Sequence, residues 1–189
     1  MAEVAFQGRD GLIRVWDPFV RIFHWSTVGL VTLAFFTDDD RAVHDTAGYV
    51  VLVLVLARIV WGFVGSEHAR FRDFVPSPRK LVRYLADIGS CSARRHLGHN
   101  PAGGAMIVML LITLLVTAVS GWLSETDAFF GVPWVSHLHH RAAHLLLPLV
   151  GLHLLGVFVS SRMHGENLVL AMITGCKRRR SGRSGGSQM

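Results

Sequence analysis

The sequence predicts an all-α membrane protein, a four-transmembrane-helix up-down bundle. Three observations predict it. The 189-residue chain is 51% hydrophobic and only 17% charged, below the roughly 25% charged residues of ordinary soluble domains. It contains four stretches close to the roughly 20 apolar residues that span a bilayer. The connections between those stretches alternate in charge, basic on one side and acidic on the other.

The first span is expected at about Pro18–Phe36. Arg9 and Arg14 precede it, and Arg21 lies just inside. Its apolar stretch is too long for a signal-peptide core. Acidic Asp38, Asp39 and Asp40 follow it rather than a small-residue cleavage site, so the segment is expected to be retained. The second span is expected at His44–Val64. The connection after it is strongly basic: Arg70, Arg72, Arg79, Lys80, Arg83, Arg94 and Arg95. Pro76 and Pro78 interrupt that connection, and a short surface helix is expected over Lys80–Ile88. The third span, Gly103–Leu123, is followed by Glu125 and Asp127. The fourth, His137–Val159, is followed by Lys177, Arg178, Arg179, Arg180 and Arg183. Basic connections mark the cytoplasmic side, so both termini are expected in the cytoplasm. The net charge of +6 is then explained by orientation and anionic headgroups, and no nucleic-acid partner is expected. Trp16, Trp25, Trp61, Trp122 and Trp134 fall near the predicted helix ends, where aromatic belts sit. Residues 1–177 read as a single domain. Residues 178–189 read as a basic, then Ser/Gly-rich, disordered cytoplasmic tail.

Cys91 and Cys176 follow no motif. Without Cys-x-x-Cys-His there is no signal for covalently attached haem. The chemistry lies in the histidines, eleven in all, because ionisable groups inside membrane helices are costly and point to function. His24 falls near the cytoplasmic start of the first span and His44 near the opposite start of the second. His139 and His153 share the fourth span, fourteen residues apart. At about 100° per residue that spacing returns to within about 40° of one face, with an axial offset of about 21 Å. Topology therefore pairs His44 with His139 at the outer level and His24 with His153 at the inner level.

Two imidazole pairs at two depths suit the axial positions of two stacked, non-covalent b-type haems. Bis-histidine ligation leaves no open site on iron and favours electron transfer. The competing reading is four buried histidines bonded to helix backbones or lining a proton path. His137, His140 and His144 lie about 160°, 140° and 180° away from His153 around the helix, so only His139 shares its face. The other three read as interfacial, or as donors to a propionate. Gly29, Gly48, Gly121, Gly151 and Gly156 permit close approach, either of a flat macrocycle or of neighbouring helices. Arg21 and Arg58, near the inner level, are candidate propionate partners. Arg162 reads as snorkelling to headgroups.

Several stretches carry a resemblance. They are Val15-Trp16-Asp17-Pro18-Phe19-Val20-Arg21-Ile22-Phe23-His24-Trp25, Arg58-Ile59-Val60-Trp61-Gly62-Phe63-Val64-Gly65 with Ala69-Arg70-Phe71, Gly98-His99-Asn100-Pro101-Ala102-Gly103-Gly104, and Glu166-Asn167-Leu168 with Ala171-Met172-Ile173-Thr174-Gly175. From about Val15 to Lys177 the chain resembles the prokaryotic di-haem cytochrome b561 family, which includes the cytochrome b subunits of nickel–iron hydrogenases. The resemblance implies a bundle enclosing two haems b, with ligands from the first, second and fourth helices at positions matching His24, His44, His139 and His153. It departs from the family where His140 and His144 replace an expected Glu and Asn, which leaves His140 as an alternative ligand. The resemblance also implies a bacterial inner-membrane location and electron transfer between the quinone pool and a redox partner. That partner would be a hydrogenase or dehydrogenase subunit or a periplasmic c-type cytochrome. Alternatives are a stand-alone superoxide:quinone oxidoreductase, disfavoured by acidic outer loops, and a haem-free membrane assembly protein.

Overall fold

A computed structural model describes residues 12–67, 69–89 and 100–178. In chain order these form β1 (Leu12–Arg14), α1 (Pro18–Phe36), α2 (Arg41–Val64), α3 (Phe71–Phe74), α4 (Pro78–Gly89), α5 (Pro101–Ser124), α6 (Pro133–His164), α7 (Leu168–Thr174) and β2 (Cys176–Arg178). Four helices, α1, α2, α5 and α6, are long and apolar enough to cross a membrane. Their outward faces carry large bare side chains, Ile22, Val53, Phe63, Ile112, Leu154 and Phe158 among them. So much exposed apolar surface is stable only against lipid.

Each helix start has a local cause. Asp17 accepts from the Val20 amide at 2.8 Å and Pro18 opens α1. Asn100 accepts from the Gly103 amide at 2.7 Å and Pro101 opens α5. Such caps satisfy amides that have no partner within the helix, and proline at the first position costs no hydrogen bond. Asp17 also accepts from Trp61 Nε1 at 3.1 Å and from Ser66 Oγ. Burial pushes the Asp17 carboxyl up, but the bonds from Ser66, Val20 and Trp61 outweigh it and hold it below its ordinary 3.8. The cap is therefore charged at neutral pH.

Three spans are longer than the sequence suggests, α5 running over Pro101–Ser124 rather than Gly103–Leu123. α2 begins at Arg41, capped by Asp40, three residues before His44. α6 runs from Pro133 to His164 rather than over His137–Val159. Its 32 residues make about 48 Å of helix, while the hydrocarbon core is about 30 Å thick. The extra turns at its C-terminal end carry Ser160, Ser161, Arg162 and His164 up to Gly165, whose φ of 62° ends the helix. Pro148 sits inside α6 without breaking it, as membrane helices tolerate. The short surface helix is α4, Pro78–Gly89.

The all-α architecture carries one two-stranded addition. β1 pairs antiparallel with β2, Ile13 opposite Lys177. The Val15 and Trp16 amides both donate to the Gly175 carbonyl, at 2.8 and 3.1 Å. Lys177 lies 5.7 Å from the Trp16 ring and 3.9 Å from Glu166. The two ends of the bundle segment thus close into one clasp, and they necessarily lie on the same side of the membrane. Arg178, assigned to a disordered tail from the sequence, has its backbone in β2. The remainder of that tail, together with His68, His96, His99 and Cys91, lies outside the described residues. Trp16 and Trp61 also leave the expected lipid belt, because one packs in the clasp and the other serves Asp17.

Between the two membrane faces, Val51, Val55, Leu114 and Leu146 form the buried core, with Phe23, Leu30, Ile59 and Leu110 packed around it. At the end of the bundle away from the clasp, Arg41 pairs with Glu125, tying the start of α2 to the end of α5. The bond from Arg41 holds the Glu125 carboxyl below its ordinary value.

Candidate functional site

The structure brings the four candidate histidines together in two pairs. On the half of the bundle nearer the clasp, labelled inner after the sequence expectation, the rings of His24 (α1) and His153 (α6) have centroids 6.4 Å apart. On the outer half, those of His44 (α2) and His139 (α6) are 6.1 Å apart. One helix supplies a ring to each pair, and the buried aliphatic core lies between the two levels. A nitrogen–metal bond to imidazole is about 2 Å. Two imidazoles on opposite sides of one metal therefore place their ring centres about 6 Å apart, as both pairs do here.

The outer pair has a defined hydrogen-bond shell. His44 Nδ1 lies 2.9 Å from the Ala34 carbonyl, and His139 Nδ1 lies 2.9 Å from the Thr117 carbonyl. A carbonyl only accepts, so each Nδ1 carries the proton and each Nε2 keeps its lone pair. Ala34 belongs to the last turn of α1, where carbonyls lack helical partners. The backbone-bonded alternative therefore describes one nitrogen of each outer ring, and the second nitrogen of each keeps a lone pair that could ligate a metal. This is how metal-bound histidines are commonly oriented.

The inner pair is different. Among the described residues, His24 Nδ1, Arg21 Nε, Arg58 Nη1 and Thr27 Oγ1 are buried polar atoms without a hydrogen-bond partner. Buried groups of this kind are rare and call for an occupant. The unpaired donors of the two arginines suit the propionates of a haem, whose iron the His24–His153 pair would hold. The residues present therefore fit the group.

The arginines also do structural work that the sequence did not reveal. Arg58 is only 3% exposed. Its Nη2 donates to the Ala69 carbonyl at 3.1 Å, and its guanidinium packs 5.6 and 5.9 Å from the Phe71 and Phe74 rings. Arg21 Nη2 donates to the Ile173 carbonyl, joining α1 to α7. Each keeps one buried nitrogen, Arg21 Nε and Arg58 Nη1, without a hydrogen-bond partner. His137, His140 and His144 are exposed. His144 packs against Phe35, and the ring opposite His44 belongs to His139. Of the helix glycines, Gly29, Gly48, Gly151 and Gly156 have nothing within 4 Å of where a Cβ would stand, so they are not helix contacts. Gly48 lies one turn beyond His44 on the same face and leaves room for a flat ring system. Gly121 instead faces His139.

Comparisons with known proteins identify similar chains. A family model described as prokaryotic cytochrome b561 matches residues 15–175. A probable Ni/Fe-hydrogenase B-type cytochrome subunit of Rhizobium leguminosarum bv. viciae is 25% identical, covering 86% of this chain and 87% of the relative. A protein of the same description from Azotobacter vinelandii is 28% identical over 71% and 67% of the two chains. A probable Ni/Fe-hydrogenase 1 B-type cytochrome subunit of Escherichia coli K12 is 26% identical over 57% and 58%. No solved structure matches.

Proposed function

The chain belongs to the prokaryotic cytochrome b561 family, and from that premise we propose that this multi-pass membrane cytochrome holds two haems b in series and passes electrons between quinone and a redox protein. His24 and His153 would hold the inner haem, His44 and His139 the outer. Haem supplies one-electron chemistry at each level. The chain's own residues fix imidazole orientation, exclude water through the Val51–Leu114–Leu146 core, and meet propionate charge with Arg21 and Arg58. Reduction of a quinone takes two electrons and two protons, so the redox protein supplies two electrons for each quinone reduced. It takes two for each quinol oxidised. Hydrogenase is the favoured partner because the relatives are described as its B-type cytochrome subunits. A dehydrogenase subunit or a periplasmic c-type cytochrome is the other candidate.

The observation that carries this reading is the pair of ring separations, 6.4 and 6.1 Å, at two membrane depths on one shared helix. A reduced-minus-oxidised spectrum of the purified protein, with haem quantified per chain, tests it. Two b-type haems per chain are expected, and none would refute it. We place the protein in the bacterial inner membrane with both termini cytoplasmic, because the basic connections lie on the clasp side. A reporter fused after Met189 is expected to read cytoplasmic, and a periplasmic reading would reverse the two levels.

A further inference from the structure

We infer that Gly121 is a positioning residue for the outer site: it opens the Thr117 carbonyl to His139 and so lowers the outer haem's potential below the inner one's. The inference rests on the two-haem reading above. In an α-helix each side chain leans toward the N-terminus, over the preceding turn. A side chain at position 121 would therefore cover the carbonyl of residue 117. Glycine leaves that carbonyl bare, and the His139 ring occupies the notch. A Cβ built on Gly121 would stand 3.0 Å from His139 Cε1 and Nδ1 but 4.0 Å from Nε2. The Nδ1 edge thus faces α5, where Nδ1 reaches the Thr117 carbonyl at 2.9 Å. The Nε2 edge turns away from it.

Ser120 Oγ donates to the Val116 carbonyl at 2.6 Å and also reaches the Thr117 carbonyl at 3.1 Å, and Ser120 is only 2% exposed. The Thr117 acceptor is therefore fixed in place by its own helix. A carbonyl acceptor on Nδ1–H raises the basicity of the opposite nitrogen. A more basic axial ligand favours oxidised iron, and such outer bonds are among the protein's levers on haem potential. Both outer rings have this support, His44 through Ala34. On the inner pair, His24 Nδ1 has no partner among the described residues. The surrounding charge acts in the same direction. Asp38, Asp39 and Asp40 flank the outer end, while Arg21 and Arg58 lie toward the inner end.

Gly121→Ala tests this in the haem-loaded protein. The added methyl forces the His139 ring to move by a few tenths of an ångström and lengthens its bond to Thr117. Potentiometric titration is expected to show the lower midpoint rising by about a tenfold change in the one-electron equilibrium, about 59 mV. The low-spin EPR signal of that site should shift with it, while the inner midpoint stays put as an internal standard. Two retained haems with unchanged midpoints and EPR signals would overturn the inference, as would an equal shift of both. If Gly121→Ala fails to accumulate, wild-type protein and His139→Ala still decide. The component lost in His139→Ala must be the lower-potential one, and loss of the higher overturns the inference. Absence of haem from wild-type protein would refute the two-haem reading itself, which separates the two failures.

Discussion

Replacing His44 or His139 by alanine is expected to remove one haem per chain and spare the other; His24→Ala or His153→Ala is expected to do the reverse. The two pairs share α6 but no ligand, and the packed core of Val51, Val55, Leu114 and Leu146 lies between them. Losing one imidazole would leave a single nitrogen to hold the haem against loss to detergent or lipid. The reduced-minus-oxidised band should fall to about half its wild-type amplitude, because each pair serves one iron. Ligand binding also stabilises the folded form. At a hundredfold excess over Kd that contribution is about 2.7 kcal/mol, so each variant should melt at a lower temperature. His140→Gln and His144→Gln serve as controls, because both side chains are exposed. They should keep both haems. Equal loss of both haems in any single-pair variant would break the pairing, and haem loss in His140→Gln would transfer the ligand role to that residue.

The four spans and the residues that pair across them were legible in the sequence because both follow from coarse physics. A bilayer sets helix length, charge sets the side on which each loop lies, and helix periodicity sets the face that His139 and His153 share. Pro18 after Asp17 marks the start of α1 without ambiguity. The length of α6 was not legible from hydropathy, since the turns beyond Val159 are polar. The clasp was hidden for a different reason. Leu12–Arg14 and Cys176–Arg178 are too short for a strand pattern, and they pair across more than 160 residues. The outer hydrogen-bond shell was hidden because its acceptors are the carbonyls of Ala34 and Thr117. A backbone acceptor leaves no trace in residue type, and Gly121 is the one sequence signal it produces. Arg58 was read for its charge, while it also packs on Phe71 and Phe74 and donates to the Ala69 carbonyl. That dual use is common for arginine, whose planar group stacks and donates at once.

Gly104→Ala is expected to destabilise the protein even though alanine is the better helix former. Gly104 lies in the first turns of α5, where exchange for alanine gains up to about 1 kcal/mol of helix propensity. Against that gain stands a contact with no slack. A Cβ there would fall 2.2 Å from the Phe74 carbonyl oxygen and 3.2 Å from its carbon. Those are backbone atoms of the turn that ends α3, so no rotamer change relieves the clash. Overpacking of this kind costs about 1–3 kcal/mol, and more where the neighbour cannot move. Relief requires α3 to withdraw from α5, and Phe74 is one of the two rings packed on the Arg58 guanidinium. The strain therefore reaches the inner arginine through a packed aromatic. Gly29→Ala makes the same chemical change on α1 with nothing within 4 Å of the new methyl. That variant should be neutral or slightly stabilising, by at most about 1 kcal/mol. Thermal melting of the two variants in one detergent therefore gives opposite signs if α3 is seated on α5 as described. A rise in melting temperature for both would mean that the Phe74 carbonyl does not press on Gly104, and that Arg58 is held by something other than this turn.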